Sequence, residues 1–257
     1  MYGGVDLTLI RRKWLFRLFV PLVALAALFL LVAAARGGLL HSAPANTGPT
    51  ATVAFLGDSV TLGAGASSRP NTYTGRVTKA LKDKGFSVIP KVSVSVDPAQ
   101  NYPVAQRVAQ TSANVTVIEL GAHSSIDQNI TADQFRQMYG QILDCLVGSD
   151  NIVVVGTVPW LGWTPDVYVY PRAEEFSRII AEEAAKRGVA VADLWSAMKE
   201  QRGLLSTPDQ KTFLPPFRGD NFHPGNNGHL VIAGEYIKAI ERELANPPQR
   251  ALQPQCP

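Results

Sequence analysis

Five short apolar runs recur along the chain, and each is followed by a stretch with helical periodicity. The runs are Ala51–Leu56, Phe86–Val96, Val115–Leu120, Ile152–Val155 and Val189–Ala192. Near-continuous apolar strands are buried on both faces, and strands that alternate with helices pair in parallel. The intervening stretches, Thr72–Lys84, Pro98–Thr111, Thr131–Val147, Ala173–Arg187, Leu194–Gln201 and Gly225–Ala245, are read as helices. In Thr131–Val147 the expected apolar stripe is Phe135, Met138, Ile142 and Leu146. Right-handed crossovers then give an α/β three-layer sandwich around a five-stranded parallel sheet. This domain spans residues 51–245, enough for a sizeable core, and residues 246–257 form a polar tail.

The apolar content is not confined to the domain. Leu18 to Ala35 is a run of eighteen uncharged residues, close to the length that crosses a bilayer as a helix. Arg11, Arg12, Lys13 and Arg17 precede it. Residues 1–17 are therefore expected to be a cytoplasmic basic flank, 18–36 a transmembrane anchor, and 37–50 a Gly, Ala and Pro-rich stalk. The rival is a cleaved signal segment, with small-residue sites at Ala33-Ala34-Ala35 and Ala43-Pro44-Ala45. Both put the domain outside the cytoplasm.

Residues 1–36 hold five basic residues and one acid, more than the whole net charge of +3, so the rest is slightly acidic. That argues against nucleic-acid binding by electrostatics. The two cysteines, Cys145 and Cys256, are read as a buried thiol and a tail thiol, with a disulfide permitted by export. No CxxC or paired His/Cys spacing points to a metal.

The first apolar run ends in Gly57-Asp58-Ser59. A residue there stands at the C-terminal edge of the sheet, where open α/β proteins bind ligands. A serine hydroxyl attacks only when a base takes its proton, and histidine suits that role. Asp220-Asn221-Phe222-His223-Pro224, just before the last helix, offers a histidine with a carboxylate three residues away to orient it.

Gly57-Asp58-Ser59 after the first strand, with Asp220-x-x-His223-Pro224 before the final helix, resembles the GDSL/SGNH hydrolase family over residues 51–245. The resemblance implies a flavodoxin-like sheet and metal-free, cofactor-free ester hydrolysis through an acyl-serine. It makes Ser59 the nucleophile, His223 the base and Asp220 its partner. The family's oxyanion hole uses the serine N–H, a glycine N–H after the second strand, and an asparagine after the third. Here no glycine lies between Gly85 and Gly121, and Gly121-Ala122-His123 puts His123 at the asparagine position. A neutral imidazole donates one N–H, so His123 is the expected replacement, beside the Ser59 N–H.

Other polar residues read as structural. Asp58 is a turn residue, Asp127 caps the loop before Thr131, His229 is internal to the last helix and His41 lies in the stalk. Trp160, Trp163, Tyr168 and Tyr170 follow the fourth strand and either line a substrate pocket or pack their loop down. The expected activity is extracytoplasmic hydrolysis of a small-molecule, glycan or lipid ester. An O-acyltransferase acting on a glycan and a non-catalytic surface binding protein on the same fold are the alternatives.

Overall fold

The computed structural model describes residues 50–94, 98–111, 113–127, 129–147, 151–160, 169–199, 202–206, 222–247 and Cys256. The five strands are β1 (Thr50–Gly57), β2 (Ser87–Val94), β3 (Val115–Glu119), β4 (Ile152–Gly156) and β5 (Ala190–Ala192). All pairs are parallel, in the order β2-β1-β3-β4-β5. The helices are α1 (Ser59–Leu62), α2 (Tyr73–Asp83), α3 (Pro98–Ala109), α4 (Ala122–Ile126), α5 (Ala132–Leu146), α6 (Val169–Lys186), α7 (Leu194–Met198) and α8 (Asn226–Ala245).

The expected strands and longer helices form, with ends moved by a few residues. Local chemistry explains several ends. Thr72 caps α2 by accepting the Gly75 N–H, and Thr131 and Gln134 make a reciprocal capping box on α5. In α5 the buried face is Phe135, Tyr139, Ile142, Leu143 and Leu146, while Met138 is only half-buried. The helical repeat carries the stripe through positions four, seven and eight after Phe135, which displaces Met138 from its centre.

The second strand departs further from expectation. β2 lies at the sheet's edge, and Ile89 and Val92 are 45% and 49% exposed. An edge also tolerates Pro90, which has no N–H to give to a further strand.

The central strands are buried on both faces. Phe55, Leu56, Val117, Ile118, Val154 and Val155 are inaccessible to solvent, and each such side chain contributes about 1.5–3 kcal/mol by burial. One helical layer contains α2 and α8, whose Tyr73 and Tyr236 rings stack at 5.4 Å. The Tyr236 hydroxyl donates to the Ile118 carbonyl at 2.8 Å. The other layer packs α3, α5 and α6 together, with Phe135 and Phe176 stacked at 4.1 Å.

Among the described residues no helix is long and apolar enough to cross a membrane. The segment 18–36 expected to do so lies outside them, as does nearly all of the stalk. The reading of Cys145 and Cys256 as separate thiols is corrected: they are joined in a disulfide. Cys145 is fully buried on α5, and the bond brings the tail to it across 111 residues of chain. Linking such distant points restricts the unfolded chain by about 2–4 kcal/mol. Cys256→Ser is therefore expected to lower the unfolding free energy measured by urea denaturation by that order. A disulfide-free intact mass for the untreated protein would remove the assignment.

Candidate active site

β1 and β3 are neighbours whose chains continue in opposite directions along the sheet, to β2 and to β4. Between their C-terminal ends lies the crevice where this fold class binds ligands. The register places Gly57 opposite Glu119. A Cβ on Gly57 would overlap Thr61 Oγ1 and the Glu119 carbonyl oxygen, so the close approach requires glycine here.

Asp58 follows and caps α1, accepting the Val60 N–H on Oδ1 at 3.1 Å. That fits its reading as a turn residue. Ser59 is the first residue of α1, where an N–H has no intrahelical acceptor.

His223 reaches Ser59 from 164 residues downstream, with Nε2 at 3.1 Å from Oγ. Both residues are 9% exposed. Backbone bonds fix the histidine's loop: Ser206 N–H donates to the His223 carbonyl at 3.0 Å, and Gly225 N–H to the Leu204 carbonyl at 2.7 Å. Gly65 underlies the same loop with φ +86°, a region natural to glycine. A Cβ there would strike the Pro224 carbonyl and approach the His223 Cβ to 3.1 Å. The Phe222 ring meets the imidazole edge-on at 5.0 Å. Asp220, the expected partner of His223, lies outside the described residues.

His123 lies half-buried in α4, a short helix that the sequence pattern did not signal. Its backbone N–H donates to Asp58 Oδ2 at 3.2 Å. One carboxylate therefore bonds the turn that carries Ser59 and the turn that carries His123. Arg172, in the first turns of α6, holds the far end of α4. Its guanidinium donates to the carbonyls of Ser124, Ser125, Asp127 and Ile130 at 2.7–3.3 Å. Asp127 in turn accepts the Asn129 N–H at 3.0 Å, a local turn bond as expected of it. Trp160 is buried in the core, so this ring packs its loop down, while Trp163 and Tyr168 lie outside the described residues.

Two buried groups behind the crevice were not singled out as functional in the sequence. Glu119, fully buried at the end of β3, accepts from Thr61 Oγ1 at 3.3 Å. Burial and the neighbouring Asp58 charge push its carboxyl well above the usual range. Burial also raises Asp58, against the opposing pull of the Val60 and His123 N–H bonds. His229 is fully buried, as its position inside the last helix suggested. Its Nδ1 accepts the Tyr73 N–H at 3.2 Å, and its Nε2 lies 3.0 Å from the Ala64 carbonyl. With Nδ1 accepting, Nε2 carries the hydrogen and donates. The ring thereby joins α8, the start of α2 and the loop just after Ser59. Among the described residues no group of His, Cys, Asp and Glu is arranged to hold a metal ion.

A model of the GDSL-like lipase/acylhydrolase family matches residues 55–231. The fold is similar to that of a lipase/acylhydrolase from Enterococcus faecalis, at 21% identity and TM-score 0.58, covering 80% of this chain and 98% of that one. It is similar to the acetylxylan esterase Axe2 from Geobacillus stearothermophilus, at 17% identity and TM-score 0.56, covering 76% and 96%. A lipolytic protein of the G-D-S-L family from Veillonella parvula matches at 13% identity and TM-score 0.58, covering 74% and 98%. No curated protein matches the chain.

The setting of His229 has a consequence for pH. Burial lowers its pKa from 6.5 to about 4, outweighing the Ala64 bond, and nearby Arg76 and His223 act in the same direction. The folded state thus binds the neutral ring, while the unfolded chain takes up a proton below 6.5. Stability from this residue is complete above that pH and falls as pH drops toward about 4, by about 3 kcal/mol. The urea midpoint is expected to decline over that interval, and to decline less in His229→Gln, which cannot ionise. Equal slopes for the two proteins would contradict the assignment.

Proposed function

The chain belongs to the GDSL-like lipase/acylhydrolase family and is a serine ester hydrolase; from that premise we propose that Ser59 is its nucleophile and His223 its general base. The observation that carries this reading is the 3.1 Å approach of His223 Nε2 to Ser59 Oγ, within reach for proton transfer. His223 takes the hydroxyl proton as Oγ attacks the ester carbonyl carbon. The carbonyl π electrons move to oxygen and form a tetrahedral oxyanion. Collapse of that intermediate breaks the bond to the alcohol, which leaves with the proton from His223. Water, activated by the same imidazole, then releases the acid and restores Ser59. Asp220, three residues before His223 in the sequence, is assigned as the carboxylate that orients the imidazole and leaves Nε2 to act as base.

The oxyanion is bound by the Ser59 N–H and the His123 side chain. The backbone bonds from Val60 and His123 to Asp58 support this placement, because they tie the turns that carry the two donors to one anchor. Removing one such donor costs about 10²–10³ in turnover.

The substrate is a carboxylic ester on a glycan or lipid, met outside the cytoplasm. Residues 18–36 anchor the domain to the membrane. Two features support the location: the basic flank before that apolar run, and the disulfide, since such bonds persist in oxidising compartments. The fold shared with an acetylxylan esterase makes a short acyl group on a sugar hydroxyl a reasonable first substrate to try.

The test uses the full chain and a short-chain chromogenic ester. Ser59→Ala is expected to lower kcat by about 10³-fold or more, and to abolish covalent labelling by an organophosphonate. Equal rates for parent and variant would end this assignment. His123→Ala is expected to lower kcat by about 10²-fold, with His123→Asn recovering most of it. Unchanged rates in both would remove His123 from the hole.

A further inference from the structure

Asp58 and Glu119 form a carboxyl pair with no obvious source of compensation. They are 1% and 0% exposed. Among the described residues no cation makes an ion pair with either. Two neighbouring carboxyls in a dry interior cannot both ionise, so one retains a proton.

The donors around them decide which. Asp58 receives two backbone N–H groups, from Val60 and His123, one on each oxygen. Such bonds favour the charged form. Among the described residues Glu119 receives only the Thr61 hydroxyl, at 3.3 Å, and that hydroxyl lies closer to the Tyr73 hydroxyl, at 2.7 Å. Glu119 Oε1 is buried, and no described donor points at it. An ionised Glu119 would leave that acceptor without a partner, at a cost of about 1–3 kcal/mol or more. A protonated one becomes a donor, and the neighbouring acceptor is Asp58, the buried residue that directly follows Gly57, the register partner of Glu119. The other titratable groups nearby are the Tyr73, Tyr139 and Tyr236 phenols and the His123 ring. The phenols are held neutral by burial, and His123 lies on the Asp58 side.

We propose that Glu119 is a positioning residue: it stays a neutral acid, donates to the Asp58 carboxylate, and so holds Asp58 in the orientation that joins the Ser59 turn to the His123 turn. This rests on the reading of Ser59 and His123 as the site's nucleophile and oxyanion donor. No proton leaves Glu119 during the reaction. Its part is to supply one hydrogen bond from below the site and to avoid adding a second buried charge.

Two measurements test this, and one of them does not depend on turnover. Infrared spectra of the full chain at neutral pH are expected to show the C=O stretch of a protonated carboxylic acid. The band should disappear in Glu119→Gln. Absence of the band in the parent, or its persistence in Glu119→Gln, overturns the assignment. For kinetics, Glu119→Gln keeps the shape and an N–H donor toward Asp58, whereas Glu119→Met keeps the bulk without a donor. Glu119→Met is expected to lose kcat by about tenfold or more with KM little changed, as a displaced oxyanion donor would. Glu119→Gln is expected to stay within about threefold of the parent, the conservative rescue a donor role requires. A Gln variant as slow as Met overturns the donor role. Should Met fail to fold, the band and the Gln rate still decide. If the parent turns over no ester at all, the functional reading fails while the band still reports on Glu119.

Discussion

Two loops that diverge from the centre of the sheet are held together by one buried carboxylate. Asp58 takes a backbone N–H from each, through Val60 and His123. Without that bridge, nothing in the sheet itself would keep the two turns in register beyond Gly57 and Glu119, the last paired residues of β1 and β3. The parallel ladder ends there, and the site begins one residue later. Gly57 lets the strands stay close to their ends, because any side chain there would collide with Thr61 and the Glu119 backbone. The geometry of the crevice is thus set by backbone contacts and one short side chain rather than by flexible groups.

The histidine arrives by a different route and needs its own fixing. Its loop pairs with Leu204–Ser206 and rests on Gly65, within the loop that follows the nucleophile helix. His229, one turn into α8, bonds the neighbouring residue Ala64. Residues close in sequence to Ser59 therefore touch residues close in sequence to His223 at several points, not only through the reacting pair. A contact of 3.1 Å between groups 164 residues apart is held because both backbones are packed on each other.

What the sequence made legible follows from how local each signal is. Apolar runs ending in glycine or polar residues revealed the strands, since burial on two faces leaves a compositional mark. The edge position of β2 leaves no such mark, because valine-rich composition does not say which strand is last in the sheet. The Ser59 and His223 pairing was legible through two motifs and their order along the chain. The network beneath it was not. Glu119 ends an apolar strand, and its burial follows only from the helices that cover it. Arg172 serves four carbonyls that lie 42 to 48 residues away in sequence, a relation no local pattern carries. Export permits a disulfide, but two cysteines 111 residues apart have no spacing rule that would pair them.

The charge behind the site must also suit the reaction in front of it. A tetrahedral oxyanion is stabilised by fixed N–H donors and destabilised by any anion nearby, more strongly in a dry interior than in water. Asp58 is close to the proposed hole, yet its charge is directed into two backbone N–H groups rather than toward the substrate. An ionised Glu119 would add a second negative charge without donors to absorb it. Kept neutral, it lets one carboxylate organise the loops while the field at the substrate stays as favourable as the fold allows. The same burial that makes two charges intolerable there makes a single, fully bonded one an effective clamp.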